Sequence, residues 1–198
     1  MRQKKLQIGV MGSDGAICSK KAYRLAREVG KEIAKHNCIT LTGGGSGVME
    51  ATCRGAKGKG GLTIGILPGH TKAEANRYLD IVIVSGMGFA RNMLNIKSCE
   101  GVIVIEGGAG TLTEAAYAYQ KKIPAVALVG SGGTADHIAG TILDIREHEK
   151  ILPVYSPKEA VETIIKLAKK KYKRDSKNHK PHKLLRKLKK KKKAERET

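Results

Sequence analysis

Aromatic side chains are scarce: the 198 residues include no tryptophan, one phenylalanine (Phe89) and six tyrosines. A core built from this chain must be aliphatic. The four cysteines, Cys18, Cys38, Cys53 and Cys99, include no C-x-x-C pair and none with a histidine at zinc-finger distance. That excludes the common disulfide and zinc frameworks and points to reduced thiols in a reducing compartment. No apolar run approaches the ~18 residues a helical membrane span needs. The apolar stretch after the opening MRQKK is broken by glycine too soon for a signal peptide. A cytoplasmic protein without membrane association is expected. His36, His70, His137 and His148 show no metal-ligand spacing, so no metal site is expected.

Basic charge and glycine, in contrast, are plentiful. The net charge is +20, but 16 Lys+Arg against 3 Asp+Glu fall in residues 169–198, which leaves the first 168 residues only mildly basic. The length suits one domain with an appendage. The domain is expected to span residues 1–168, where a helical apolar period gives way to lysines. Beyond it lies a lysine-rich tail, solvated or forming a short basic helix lined by Leu184, Leu185 and Leu188. Runs such as residues 189–193 attract phosphate backbones without sequence preference, so weak nonspecific nucleic-acid binding is a candidate role. Tyr172 is the tail's one aromatic residue, which argues against recognition of single strands by stacking.

Short β-branched runs alternate with segments of helical period. Strands are expected at residues 6–11, 38–41, 62–67, 81–84, 101–105, 125–129 and 151–154. Helices are expected at 19–36, with Ser19 as N-cap, and at 48–56, 90–98, 111–120 and 135–144, with a last one opening at Ser156-Pro157. Continuous apolar strands alternating with helices predict an α/β fold: a Rossmann-like, doubly wound parallel sheet in a single domain.

The 24 glycines cluster after strands. Gly12-Ser13-Asp14-Gly15, Gly43-Gly44-Gly45-Ser46-Gly47, Gly107-Gly108-Ala109-Gly110-Thr111 and Gly130-Ser131-Gly132-Gly133 all fall at carboxyl ends, where open α/β sheets bind ligands. Glycine lets the backbone approach a ligand closely, and a helix starting there offers unpaired N–H groups to a phosphate. No Walker motif is present, and no strict G-x-G-x-x-G follows the first strand, so a mononucleotide or similar phosphorylated group fits better than a dinucleotide. The expected phosphate and nucleotide contacts are Gly12, Ser13, Gly43, Gly44, Gly45, Ser46, Gly47, Gly107, Gly108, Gly110 and Thr111. Asp14 and Asn76 lie in loops that could reach the ligand or serve as turn residues. Glu106, at a strand end, would be costly to bury without a partner.

The segment from Glu106 to Glu114, EGGAGTLTE, resembles the P-G-G-x-G-T-x-x-E signature of the Lonely Guy family of Rossmann-like nucleoside 5′-monophosphate phosphoribohydrolases, long labelled lysine decarboxylases. GGGSGVME at residues 43–50 is similar to that family's first glycine-rich loop, and Ala90-Arg91-Asn92-Met93 falls where the family has its arginine helix. With Gly-Ser-Gly-Gly-x-x-Asp after the sixth strand, the set is most similar to a sister branch that contains molybdenum-cofactor carrier proteins. The resemblance spans about residues 7–168. It implies a bound nucleotide or molybdenum cofactor as ligand, no required resident cofactor, Arg91 and Glu114 as catalytic residues, and Asn92 as a further phosphate or nucleotide contact. A carboxylate near an N-glycosidic bond would stabilise the positive charge that builds on the ribose, and an arginine would hold the phosphate. The chain departs from the hydrolase pattern at Glu106 for proline, Thr113 for the first glutamate of a pair, and Asn92 for lysine. Two functions therefore stand: a mononucleotide-binding phosphoribohydrolase, or a non-catalytic carrier or sensor of a phosphorylated ligand such as molybdenum cofactor. A homodimer is expected, because the helices around Arg91 and Glu114 carry apolar residues on more than one face (Met93, Leu94 and Ile96; Leu112, Ala115 and Tyr119).

Overall fold

The computed structural model describes residues 5–145 and 150–178. The expected basic helix at residues 184–188, the lysine run 189–193 and His148 lie outside the described residues. Seven strands form one parallel sheet: β1 (Gln7–Gly12), β2 (Ile39–Thr42), β3 (Thr63–Leu67), β4 (Ile81–Val84), β5 (Gly101–Ile105), β6 (Ala125–Leu128) and β7 (Leu152–Val154). Six helices accompany them: α1 (Lys20–Lys35), α2 (Val48–Lys57), α3 (Arg91–Lys97), α4 (Ala109–Gln120), α5 (Gly133–Ile138) and α6 (Pro157–Asn178). A 3-10 turn, Gly88–Ala90, leads into α3. The strand order is β4-β3-β2-β1-β5-β6-β7, and every neighbouring pair is parallel. By its contacts the chain divides after Ala168.

Strand residues alternate between two aliphatic cores. Ile8, Val10, Ile103, Ile105, Val126 and Leu128 point toward α1, α2 and α6. Met11, Val102, Val104, Ala125 and Ala127 point toward α3, α4 and α5. The largest fully buried side chains are all Ile, Leu or Met, while the single phenylalanine, Phe89, is 86% exposed. Strand β4 departs from the buried pattern. No helix links it to β3, and Ile81 and Ile83 on this edge strand are exposed.

Local signals explain most boundaries. The Ser19 hydroxyl accepts the Ala22 N–H at 3.0 Å and caps α1 as its position suggests. Helix α5 corrects the expectation for residues 135–144: it starts at Gly133 and stops at Ile138. The Gly140 N–H leaves the helical path (φ 77°) to bond the Ile151 carbonyl at 2.8 Å, so pairing with the β7 segment ends the helix.

Helices α1 and α2 cross at two glycines. A methyl group at Gly30 would collide with the Thr52 carbonyl oxygen, and one at Gly55 with the Arg27 carbonyl oxygen. Alanine favours a helix over glycine by ~1 kcal/mol, yet Gly55→Ala should destabilise the fold by about 1–3 kcal/mol, the usual cost of overpacking. Denaturant unfolding measures this. A variant as stable as the parent would mean that the two helices part without cost.

Candidate functional site

The order of strands reverses between β1 and β5, and the crevice beyond their carboxyl ends is where such sheets bind ligands. Four loops meet there, and backbone hydrogen bonds stitch them together. The Val48 N–H donates to the Ser13 carbonyl (2.9 Å), and the Gly15 N–H to Ser46 Oγ (3.0 Å). Asn76 clamps the second loop: its Nδ2 donates to the carbonyls of Gly44 (3.0 Å) and Gly45 (2.9 Å). Asp14 caps its own turn through the Ala16 N–H (2.9 Å).

The loop after β6 turns inward. The N–H groups of Thr134 and Ala135 donate to the carbonyls of Gly107 (2.8 Å) and Glu106 (3.0 Å), and Thr134 Oγ1 donates to the Gly108 carbonyl (2.9 Å). The Asp136 carboxylate accepts the N–H groups of Gly130 (2.6 Å) and Gly132 (3.1 Å). The donors of Thr134 and Ala135 thus support the neighbouring loop, and those of Gly130 and Gly132 are taken up within their own segment.

The glycines of the expected site fall into two groups. A side chain at Gly12 would strike the Ile105 carbonyl, and at Gly43 the Arg91 guanidinium. Gly47 (φ 68°) lies against the backbone of Ser13 and Asp14, Gly44 (φ 84°) against Leu67, and Gly107 (φ 97°) against the Thr111 side chain. Backbone conformation or a backbone contact requires glycine at Gly12, Gly44, Gly47 and Gly107, whereas at Gly43 the neighbour is the end of the flexible Arg91 side chain. Gly108 and Gly110 are different. Beyond Gly108 the nearest neighbour is Ile17 Cδ1 at 3.4 Å, and beyond Gly110 it is Asn92 Nδ2 at 4.0 Å. Gly45 is intermediate, with Met49 Cε at 3.2 Å.

Gly108 is the N-cap of α4 in an extended conformation (φ −116°, ψ −152°), with no side-chain cap. The first N–H to bond within this turn is that of Leu112, which donates to the Gly108 carbonyl at 3.0 Å. Helix geometry leaves the N–H groups of Ala109, Gly110 and Thr111 without acceptors inside the helix, at its positive end. The Thr111 side chain is buried beneath Gly107, and Asn92 ties α3 to α4 through the Gly110 carbonyl (3.3 Å).

Arg91, at the start of α3, lays its guanidinium over Gly43, and its Nε is buried without a partner. Burial depresses its pKa, against the opposing pull of Glu114. Glu114, one turn into α4, is only 7% exposed and accepts a hydrogen bond from Asn95 Nδ2 at 2.9 Å. Burial pushes its pKa up to about 7, although the Asn95 bond and the Arg91 charge both oppose the rise. The fold therefore brings Arg91, Asn92 and Glu114 together between α3 and α4. A fourth member of that cluster, Asn95, was missed by sequence reasoning. Its spacing of four residues from Arg91 on one helix was the available signal. Its Oδ1 is buried without a partner.

Glu106 also has a defined seat. Its backbone is left-handed (φ 51°), with its N–H donating to Ser131 Oγ at 2.8 Å. The Ser131 hydroxyl in turn donates to the Leu128 carbonyl at 2.6 Å. The Glu106 carboxylate accepts the Ser13 hydroxyl in a short hydrogen bond and the Ser19 N–H at 3.1 and 3.2 Å. Among the described residues, no three metal-ligating side chains converge, and no helix is long and apolar enough to cross a membrane.

Residues 5–161 match the SLOG cluster4 family. The chain belongs to this family. A protein of Archaeoglobus fulgidus is 42% identical over 118 residues, which is 60% of this chain and 76% of the relative. Two solved structures share the fold over nearly their whole length. The molybdenum cofactor binding protein of Rippkaea orientalis has a TM-score of 0.73 and 33% identity, over 83% of this chain and 98% of that one. The molybdenum cofactor carrier protein of Chlamydomonas reinhardtii has a TM-score of 0.71 and 37% identity, with the same coverage. In this SLOG chain the family's glycine loops therefore do two jobs. Most of their glycines let the loops pack on one another, and the pair at the head of α4 leaves backbone uncovered.

Proposed function

We propose that this SLOG chain binds a small phosphorylated ligand, of nucleoside monophosphate or phosphopterin type, with its phosphate on the N-terminus of α4. The observation that carries this reading is the uncovered backbone at Gly108 and Gly110, two glycines for which packing supplies no reason. Three N–H groups and a positive helix end are available to an anion there. Arg91, with a buried Nε still to be partnered, lies on the neighbouring helix as a second cation. This donor set suits the phosphate of a molybdenum cofactor as well as that of a mononucleotide, and such a cofactor would be cargo.

Between carrier and hydrolase, the carrier is the better supported. The relatives at 33% and 37% identity are named for binding or carrying molybdenum cofactor. The hydrolase motif is altered at Asn92, Glu106 and Thr113. Glu114 is also buried, bonded to Asn95 and half-neutral near pH 7, which weakens it as a standing negative charge beside a forming ribosyl cation. Phosphoribohydrolase activity is the second reading. It is favoured by the pairing of Arg91 with Glu114 one turn behind the phosphate seat. Calorimetry with AMP, GMP and molybdenum cofactor, alongside an assay for released free base, separates the two. Saturable binding without base release supports a carrier; base release at tens of turnovers per enzyme supports the hydrolase. The absence of binding to any of the three would overturn both.

In this reading residues 1–168 hold the ligand and residues 169–198 supply the charge. The tail associates weakly with nucleic acid in the cytoplasm. Its affinity for duplex DNA should fall steeply with salt, since each neutralised phosphate releases counterions. Replacing Lys189, Lys190, Lys191, Lys192 and Lys193 with glutamine should remove most of that binding. Equal binding by the parent and the variant would remove the tail's assigned role. The chain is also a homodimer in this reading, with exposed Phe89, Met93 and Leu94 near α3 and Leu112 on α4 as the apolar surface it buries. A monomer by light scattering at micromolar concentration would refute it.

A further inference from the structure

The amino end of α1 resembles a second phosphate seat. It follows a strand at the switch point of the sheet, begins with a serine cap, and presents an N–H toward the crevice. That N–H is already taken. Ser19 donates it to the Glu106 carboxylate, and the Ser13 hydroxyl donates to the same group. The carboxylate does not arrive there by chance rotation of a surface side chain. Glu106 is buried, its backbone is held in the left-handed region, and the bond from its N–H to Ser131 Oγ fixes the residue from behind. Among the described residues no lysine or arginine neutralises it.

We infer that Glu106 is a specificity-determining residue: its carboxylate fills the anion seat of α1 and limits the site to ligands with a single phosphate group. This rests on the reading that the ligand phosphate sits at α4. A side chain at Gly108, the cap of α4, would meet Ile17 Cδ1 at 3.4 Å, two residues before Ser19, so a second phosphate linked to the first and reaching toward α1 would approach the carboxylate. Like charges brought together in a partly desolvated site cost several kcal/mol. A diphosphate would also have to displace the Ser13 and Ser19 bonds. The glutamate thus acts as a built-in substitute for the second phosphate, at the position where the hydrolase signature has proline. It gives the crevice a chemical reason to reject nucleoside diphosphates and dinucleotides that is separate from the shape of the loops.

The test uses the full chain as the parent, Glu106→Gln and Glu106→Ala, with calorimetric titration of AMP, ADP, inorganic phosphate and pyrophosphate. The parent should bind AMP at least about tenfold more tightly than ADP, as a like-charge penalty of this kind implies. Glu106→Ala should shrink or invert that ratio by about tenfold or more, and should prefer pyrophosphate over phosphate where the parent does not. Glu106→Gln keeps the volume and a hydrogen-bonding oxygen, so it decides the matter if the alanine variant fails to fold. An AMP-to-ADP ratio unchanged in a folded variant overturns the inference, as does a parent that binds ADP as tightly as AMP. If AMP binds to none of the three proteins, the nucleotide reading has failed. The phosphate and pyrophosphate titrations then judge Glu106 on their own: a variant with a new preference for pyrophosphate upholds its role, and one without it rejects that role.

Discussion

Valine at position 108 should reduce affinity for AMP or another monophosphate by roughly a hundredfold while the fold survives. Charge-assisted hydrogen bonds contribute ~1.5–3 kcal/mol each, and a hundredfold is ~2.8 kcal/mol, so the loss of one strong bond or two weak ones is about that large. The backbone of Gly108 is extended, at φ −116° and ψ −152°, a conformation that any residue adopts. A Cβ there meets only Ile17 Cδ1, at 3.4 Å, on the protein side. It would project from the head of α4, where the ligand must approach. Thermal unfolding should therefore place the variant close to the parent, and calorimetry should place it far away. Unimpaired binding by a folded Gly108→Val protein would move the ligand site away from α4. The contrast with Gly12 or Gly47 is useful. Alanine at either of those should damage the loops themselves, because backbone atoms of Ile105, Ser13 and Asp14 occupy the space.

Glu114→Gln should flatten the pH dependence of stability and leave the protein more stable than its parent above pH 7. In the folded chain the Glu114 pKa is raised from 4.5 to about 7 by burial. Below pH 4.5 the carboxyl is protonated in both the folded and unfolded states and contributes no difference. Between 4.5 and 7 the unfolded chain ionises while the folded one retains its proton, so stability is lost as pH rises. Above pH 7 the loss is complete, at most ~3 kcal/mol for a shift of this size. Glutamine carries no such penalty and keeps an oxygen for the Asn95 N–H. Thermal melts of both proteins from pH 5 to pH 8 should converge at the acid end. At pH 8 they should diverge by several degrees, since 1 kcal/mol moves the midpoint of a chain this size by ~2–4 °C. Parallel curves would mean that Glu114 is not buried in solution. The same variant also informs on catalysis. If the protein is a hydrolase, turnover should fall by about two orders of magnitude or more; in a carrier only affinity responds.

The parts of this protein readable from sequence are those governed by local chemistry. The Ser19 cap, the β-branched run at Gly101–Ile105 and the Ser156-Pro157 start of α6 each carry their signal within a few residues. The absence of tryptophan and the single phenylalanine pointed to an aliphatic core, and the largest fully buried side chains are Ile, Leu and Met. What escaped is set by partners far along the chain. Ser13 and Glu106 are 93 residues apart, and Glu106 and Ser131 are 25 apart, so a glutamate in place of proline could be seen but its seat could not. Glycine is ambiguous for the same reason. A row of letters cannot separate Gly12, needed because Ile105 presses on it, from Gly108, where nothing does. The early stop of α5 likewise depends on a bond from Gly140 to Ile151.

The central place of β1 has a consequence for how the chain is made. Its residues pair on one side with β2, about thirty positions later, and on the other with β5, from Ile8 against Gly101 to Gly12 against Ile105. A ribosome can therefore release β1 to β4 as a growing half-sheet whose inner edge stays open until residue 105 has emerged. At ~5–20 residues per second, that interval lasts seconds. During it the row of unpaired N–H and C=O groups on the β1 edge that later becomes the middle of the sheet is the one most available to a wrong partner. Refolding from denaturant should accordingly be slow for a chain of this size, limited by the closure of β5 onto β1.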